Sequence, residues 1–114
     1  MIQITGTILP GQGRGQETGA ATANLELRLA HGLPKGLYAC LAELAGVPYK
    51  GLLYHGYNSL TQTDCLEVHL FGYTGNLHGQ KITVQIGQFL RGEKKFNSVA
   101  ELKKQITEDL KNFS

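Results

Sequence analysis

The sequence has no tryptophan, only two cysteines and no long hydrophobic run. Cys40 and Cys65 show no C-x-x-C spacing, so a structural zinc site and a disulfide-rich scaffold are not indicated. We expect two buried, reduced thiols. No apolar run approaches the ~18 residues needed to span a bilayer. The N-terminal segment lacks a basic region followed by a long apolar core, so we expect no signal peptide and a cytoplasmic protein.

A strong charge of either sign is also missing. The net charge is +2, with acidic and basic residues mixed along the chain. This bias is too weak to favour a nucleic-acid partner or an anionic membrane, so we expect neither. The length of 114 residues predicts one domain spanning 1–114, and we expect it to be a monomer.

Glycine, by contrast, is abundant, and its 15 copies separate short apolar segments. Six of these segments have the alternation or the short apolar character of β-strands, and they lie at 2–8, 22–29, 36–44, 49–56, 65–71 and 82–86. We expect a turn at Gly46-Val47-Pro48, and we expect Gly87 to introduce a bulge in the last strand or to end it. The pattern predicts a mainly β protein.

The C-terminal segment changes to a helical period. Its apolar residues are spaced 3, 4, 4 and 3 apart, at Val99, Leu102, Ile106, Leu110 and Phe113. Ser98 and Glu101 form a capping box that marks the start of this predicted helix. Six short strands followed by one helix predict a closed antiparallel barrel with a helix packed on it.

The least ordinary stretch runs from Gly11 to Asn24, with the sequence GQGRGQETGAATAN. Its glycines, which include Gly13, Gly15 and Gly19, allow the backbone N–H groups to approach an anion closely, and Arg14 adds a cation. Thr22 and Asn24 supply neutral oxygens that suit magnesium beside phosphate oxygens. The stretch is neither a Walker loop nor a dinucleotide fingerprint. A flexible hairpin loop is the alternative.

Glu67 is unusual because it lies in the middle of an apolar strand, on the same face as His69. A carboxylate at the mouth of a barrel suits a general base. The alternative is an outward-facing glutamate on a strand whose other face fills the core. We interpret His69 as a hydrogen-bonded structural residue rather than a ligand, and the Cys65 thiol as inert.

A cationic cluster precedes the predicted helix. Arg91 lies with Lys94 and Lys95 between Phe89 and Phe96. This cluster either faces a phosphate or solvates the connection between the barrel and the helix.

Four segments, taken in order, resemble the riboflavin kinase family along nearly the whole chain. They are ITGTILPGQGRGQETGAATANL, LPKGLYA, LEVHLFGYTGNLHGQKITV and FLRGEKKFNSVAELKKQITEDL. The resemblance implies a six-stranded Greek-key β-barrel with a C-terminal α-helix packed on it. It implies transfer of the γ-phosphoryl group of ATP to the ribityl 5′-hydroxyl of riboflavin, which gives FMN.

The resemblance also implies roles for individual residues. Thr22 and Asn24 would hold Mg²⁺ and the phosphates of ATP, and Glu67 would accept the hydroxyl proton. The nucleotide loop would include Gly13, Arg14, Gly15 and Gly19, and Arg91 would border the flavin. Riboflavin and ATP are then the small-molecule partners. We expect a stand-alone kinase domain without the adenylyltransferase domain that many bacterial members carry.

The first motif departs from the family pattern. Ala21 stands where the family has a proline before the threonine, and Ala20 stands where an aromatic residue is common. These changes leave a second hypothesis open, in which a degenerate barrel binds flavin or nucleotide without catalysis. A barrel that serves only protein interaction is the third hypothesis.

Overall fold

A computed structural model describes residues 2–10, 21–58, 62–73 and 77–92, together with Lys104 and Glu108. Six strands form one sheet: β1 (Ile2–Thr7), β2 (Ala21–Leu25), β3 (Gly36–Leu44), β4 (Val47–Asn58), β5 (Thr63–Leu70) and β6 (Lys81–Arg91). One 3₁₀ turn spans Leu27–Ala30. The prediction of a mainly β protein with six antiparallel strands is confirmed. No helix among these residues is long and apolar enough to cross a bilayer.

The strand order in the sheet is β1-β6-β3-β4-β5-β2, and all neighbouring pairs are antiparallel. β1 and β2 are therefore the two edge strands. The sheet curls until the segment after β1 meets β2, where the Leu9 N–H donates to the Asn24 carbonyl oxygen over 2.7 Å. This bridge joins the two edges at one point. The result is a curled, partly closed barrel.

The core lies on the inner face of the curled sheet. Leu66, Val68 and Leu70 of β5 are fully buried there, as their alternation predicts. The same face contains Leu53 of β4 and Ile82, Val84 and Ile86 of β6. Each such side chain contributes about 1.5–3 kcal/mol by its removal from water. The opposite residues of β5 therefore face outward.

Truncation of a core leucine tests this assignment of faces. Leu66→Ala is expected to lower the free energy of unfolding by about 2–5 kcal/mol, because it leaves a cavity in a fully buried site. Leu41→Ala is the control, since Leu41 is 42% exposed on β3, and its effect is expected to stay within about 0.5 kcal/mol. Urea unfolding measures both, and equal effects would contradict the assignment.

The predicted strand over 22–29 is only partly correct. β2 ends at Leu25, and the chain then forms the 3₁₀ turn. Apolar residues at 25, 27 and 29 fit a strand period, but 25 and 29 are also one helical turn apart. The structure follows the helical spacing: Leu25 and Leu29 both pack at the core, while Leu27 is 41% exposed.

The turn between β3 and β4 lies one residue earlier than predicted. Ala45 and Gly46 both have positive φ, +50° and +80°, and they connect the paired residues Leu44 and Val47. Two successive positive φ values are typical of a tight two-residue hairpin. Pro48 is thus a strand residue. It is tolerated because β5 begins to pair with β4 only at Gly51, which leaves the Pro48 side of β4 without a neighbouring strand.

A bulge occurs at Gly87. The sequence predicted either a bulge or a strand end at this residue, and the first of these is observed. Tyr38 and Cys40 of β3 pair with Phe89 and Ile86 of β6, so β6 carries one extra residue between these pairs. A Cβ at Gly87 would lie 3.1 Å from the Ala39 carbonyl oxygen, which favours glycine there. The strand continues past the bulge to Arg91.

The C-terminal helix remains a prediction. Lys104 and Glu108 have helical backbone and are exposed, which agrees with the solvated side of the predicted helix. The remaining residues assigned to that helix and its cap lie outside the described residues.

Candidate active site

Three of the predicted site residues lie together on the outer face of β2 and β5. Asn24 is directly opposite Glu67, and Thr22 is directly opposite His69. Residues directly opposite in an antiparallel pair point to the same face, with Cβ atoms ~4.5–5.5 Å apart. The pairing therefore gathers two neutral oxygen donors, a carboxylate and an imidazole into one polar group.

Arg91 belongs to the same row of residues across the sheet. It pairs with Leu37, Leu37 pairs with Tyr54, and Tyr54 pairs with Glu67. Three strand spacings of ~4.8 Å separate Arg91 from Glu67, so their Cα atoms are roughly 14 Å apart. Because β6 carries an extra residue at the Gly87 bulge and a second one between Phe89 and Arg91, Arg91 comes opposite Leu37 rather than two positions away.

The Glu67 carboxylate is held but accessible. The Asn58 side-chain amide donates to Glu67 Oε1 over 3.2 Å, and His69 Nε2 lies 3.9 Å from Glu67 Oε2. The Glu67 side chain is 16% exposed. One carboxylate oxygen is thus fixed by an amide, and the group as a whole can be reached from solvent.

His69 is buried and hydrogen-bonded, as its interpretation as a hydrogen-bonded residue predicted. Its Nδ1 atom is 3.1 Å from the Thr22 hydroxyl oxygen. Its side chain is 7% exposed. His69 therefore links the β2 side of the polar group to the β5 side.

The two thiols are free, as expected. Burial raises the pKa of Cys40 to about 12. Burial also raises the pKa of Cys65, and the nearby Glu67 carboxylate raises it further by disfavouring a second negative charge. Both cysteines are therefore neutral thiols at physiological pH, which agrees with the expectation that Cys65 is inert.

Slow alkylation follows from these shifts, since the thiolate is the reactive form. At pH 8, iodoacetamide is expected to label both cysteines of the folded protein at least ~100-fold more slowly than those of the urea-unfolded chain. Mass spectrometry of timed samples measures both rates. Rapid labelling of either thiol in the folded protein would contradict its burial.

Two neighbours of Glu67 were missed by the sequence analysis. Asn58 donates to its carboxylate, and Tyr54 lies directly opposite it on β4. The Tyr54 hydroxyl donates to the Tyr57 carbonyl oxygen over 2.9 Å, which holds the end of β4 in place. Their spacing of four residues puts them on one face of a strand, and this was the available signal. That Tyr54 and Asn58 lie beside Glu67 follows only from the register between β4 and β5.

The other predicted nucleotide-binding residues, Gly13, Arg14, Gly15 and Gly19, lie outside the described residues. Within the part of the chain that is described, no group of three or more His, Cys, Asp or Glu residues is placed to hold a metal. The oxygens of Thr22 and Asn24 fit magnesium in a different way. Mg²⁺ commonly keeps several waters and is shared between a few protein oxygens and substrate phosphates.

Solved structures give the class of fold. A riboflavin kinase from Trypanosoma brucei aligns with a TM-score of 0.58 at 16% identity, over 96% of this chain and 75% of that one. A macrolide-efflux protein from Streptococcus pneumoniae aligns with a TM-score of 0.71 at 26% identity, over 98% of this chain and 39% of that one. The fold is thus a curled barrel of the riboflavin kinase type.

Sequence relatives agree with this class. A bifunctional riboflavin kinase/FMN adenylyltransferase of Bacillus subtilis is 33% identical over 93% of this chain and 35% of its own length. The RNA-binding riboflavin kinase RibR of the same organism is 32% identical over 96% of this chain and 49% of its own. The chain spans between a third and a half of these relatives.

A family model described as flavokinase, riboflavin kinase, matches residues 1–114. The chain belongs to the riboflavin kinase family. The match covers the strands that carry Thr22, Asn24, Glu67 and Arg91, so all four residues lie within the matched segment.

Proposed function

We propose that this domain transfers the γ-phosphoryl group of ATP to the ribityl 5′-hydroxyl of riboflavin and produces FMN. The observation that carries the proposal is the cross-strand pairing of Asn24 with Glu67 and of Thr22 with His69. It brings the residues that resemble the family's phosphate-side motif next to the carboxylate. Phosphoryl transfer requires mainly alignment and charge stabilisation from the protein, and this arrangement is suited to both.

Glu67 acts as the general base in this proposal. Asn58 orients the carboxylate through Oε1. The carboxylate accepts the proton of the 5′-hydroxyl as the new O–P bond forms, and the bond from the γ-phosphorus to the bridging oxygen of ADP breaks. The 16% exposure of the Glu67 side chain supports access of the substrate hydroxyl.

Thr22 and Asn24 hold Mg²⁺ and the nucleotide phosphates in this proposal. When bound, the cation neutralises charge on the phosphate oxygens. Thr22 and Asn24 supply oxygens from adjacent outward positions of β2, which begins directly after the glycine-rich stretch. We propose that Gly13, Arg14, Gly15 and Gly19 contact the phosphates, and this assignment depends on the resemblance of their motif.

We propose that Arg91 and the predicted helix border the flavin. Leu37 and Leu52 face outward yet are only 3% and 1% exposed. Burial of these two leucines on the outer face supports coverage by the apolar stripe of the helix predicted over 99–113. The same helix would complete the barrel of the family, with the strand connections of a Greek key.

The remaining expectations concern the setting of the enzyme. We propose a cytoplasmic monomer that acts on small molecules and binds no nucleic acid. The net charge of +2 supports the last point, although one relative is described as RNA-binding. Size-exclusion chromatography and a filter-binding assay with RNA measure these two properties.

The test of function is the formation of FMN from riboflavin and MgATP, followed by chromatography. We expect FMN and ADP in equal amounts and no turnover without a divalent cation. Tight binding of FMN in calorimetry without turnover at any magnesium concentration would favour the degenerate barrel instead. Absence of any thermal shift with flavin or nucleotide would favour a protein-interaction domain.

A further inference from the structure

His69 is the one buried polar or charged residue in the described part of the chain. It projects from the outer face of β5, where its neighbours Cys65 and Glu67 are only partly buried. Thr22 lies on one side of its ring and Glu67 on the other. A hydrophobic residue would fill this buried space at a lower desolvation cost, so the imidazole has to be explained by its contacts.

The contacts with Thr22 and Glu67 favour one tautomer of the ring. A neutral imidazole has one N–H donor and one acceptor nitrogen. Nε2 faces the Glu67 carboxylate at 3.9 Å, and a negative charge favours the proton on the nitrogen nearest to it. In that tautomer Nδ1 is the acceptor, and the Thr22 hydroxyl, 3.1 Å away, is the donor.

The direction of that hydrogen bond determines what Thr22 can do. Because its proton is directed to His69, the lone pairs of Thr22 Oγ1 point away from the ring and remain available. With the other tautomer, Nδ1–H would donate to Thr22 and occupy one of those lone pairs. The Nε2–H tautomer thus prepares Thr22 as an oxygen ligand and gives Glu67 an N–H neighbour at the same time.

We propose that His69 is a positioning residue that couples the two halves of the site. Nδ1 holds the Thr22 hydroxyl by a hydrogen bond for the nucleotide side. Nε2 faces the Glu67 carboxylate at 3.9 Å, where it acts on the hydroxyl side through electrostatic attraction rather than through a hydrogen bond. This proposal rests on the proposed kinase function. The proposal gives each nitrogen of the His69 ring its own role. A substitution that replaces only one nitrogen therefore removes only one role.

Two amide substitutions separate the roles. The side-chain amide of Asn reaches approximately the position of Nδ1, whereas that of Gln reaches approximately the position of Nε2. His69→Asn is therefore expected to keep the KM for MgATP within about twofold and to lower kcat by ~10-fold, because the carboxylate loses the N–H that faces it and is positioned less well. His69→Gln is expected to raise the KM for MgATP and the Kd of MgADP by ~10-fold with a smaller loss of kcat. His69→Leu is expected to show both losses.

His31→Asn is the matched control, because His31 is exposed beside the 3₁₀ turn, and we expect wild-type kinetics for it. Melting temperatures identify the folded variants. Wild-type kinetics for folded His69→Leu would overturn the proposal. Equal losses of kcat and of MgADP affinity in the Asn and Gln variants would also overturn it, because such losses indicate only a structural role.

A spectroscopic measurement tests the tautomer without any turnover. Nitrogen-15 NMR of the ligand-free protein is expected to show His69 protonated at Nε2 and unprotonated at Nδ1, and Thr22→Val is expected to shift the Nδ1 resonance. An Nδ1–H tautomer, or no response to Thr22→Val, would overturn the proposed direction of the hydrogen bond. Absence of FMN formation by the wild type contradicts the kinase function, and the NMR result then still decides the tautomer.

Discussion

Glu67→Gln is expected to lower kcat for FMN formation by ~10²–10⁴-fold while the domain remains folded, because the amide cannot accept the hydroxyl proton. The substitution preserves the size of a side chain that is 16% exposed, and Asn58 can still donate to its carbonyl oxygen. Affinity for MgADP is expected to change little. Chromatography of FMN under saturating riboflavin and MgATP measures the effect.

Glu43→Gln is the matched control for this variant. Glu43 is an exposed residue of β3 and pairs with Pro48, six residues along β4 from Tyr54, so it lies far from Glu67 and the same chemical change there should leave kcat unaltered. An active Glu67→Gln enzyme would remove the assignment of Glu67 as the base. Comparable losses in both variants would indicate that the general charge of the domain matters rather than this carboxylate.

Asn24→Leu is expected to lower kcat/KM for MgATP by ~10²-fold, the typical effect of removing one group that stabilises transition-state charge. The substitution removes the side-chain oxygen but keeps the backbone carbonyl that accepts the hydrogen bond from Leu9. The closure of the barrel at this bridge is therefore preserved. Steady-state kinetics over a range of magnesium concentrations measure the loss.

Asn24→Asp is informative beside it, because a carboxylate is also an oxygen ligand for magnesium. We expect the Asp variant to retain more activity than the Leu variant. Thr5→Val is a control on another outward position of an edge strand, where the exposed Thr5 hydroxyl lies 3.4 Å from the Thr83 hydroxyl. If Asn24→Leu retained wild-type kcat/KM, Asn24 would have no role in holding the nucleotide.

The sequence predicted the local features of the site well. The alternation of Leu66, Val68 and Leu70 is sufficient to place Glu67 and His69 on the outward face, because strand period alone decides which face a residue occupies. The Gly87 bulge also had a local signal. The helical turn after Leu25 was missed, since apolar residues at 25, 27 and 29 satisfy both a strand and a helical spacing.

The assembly of the site was not predictable in the same way. β2 and β5 are distant in sequence, and only the strand order of the sheet puts Asn24 opposite Glu67. The role of Asn58 depends on the register of the β4–β5 hairpin, which a single sequence does not give. The family resemblance supplied the residues of the site, whereas the tertiary pairing supplied the contacts among them.

A crystal structure of the domain with MgADP and FMN is the most direct test of the central claim, that the outer face of β2 and β5 is the phosphoryl-transfer site. We predict a magnesium ion ~2.1 Å from the side-chain oxygens of Thr22 and Asn24. We predict the phosphorylated end of the ribityl chain within ~3.2 Å of the Glu67 carboxylate or one water away from it. Binding of the nucleotide on another face, with Glu67 and Asn24 distant from both ligands, would contradict the account.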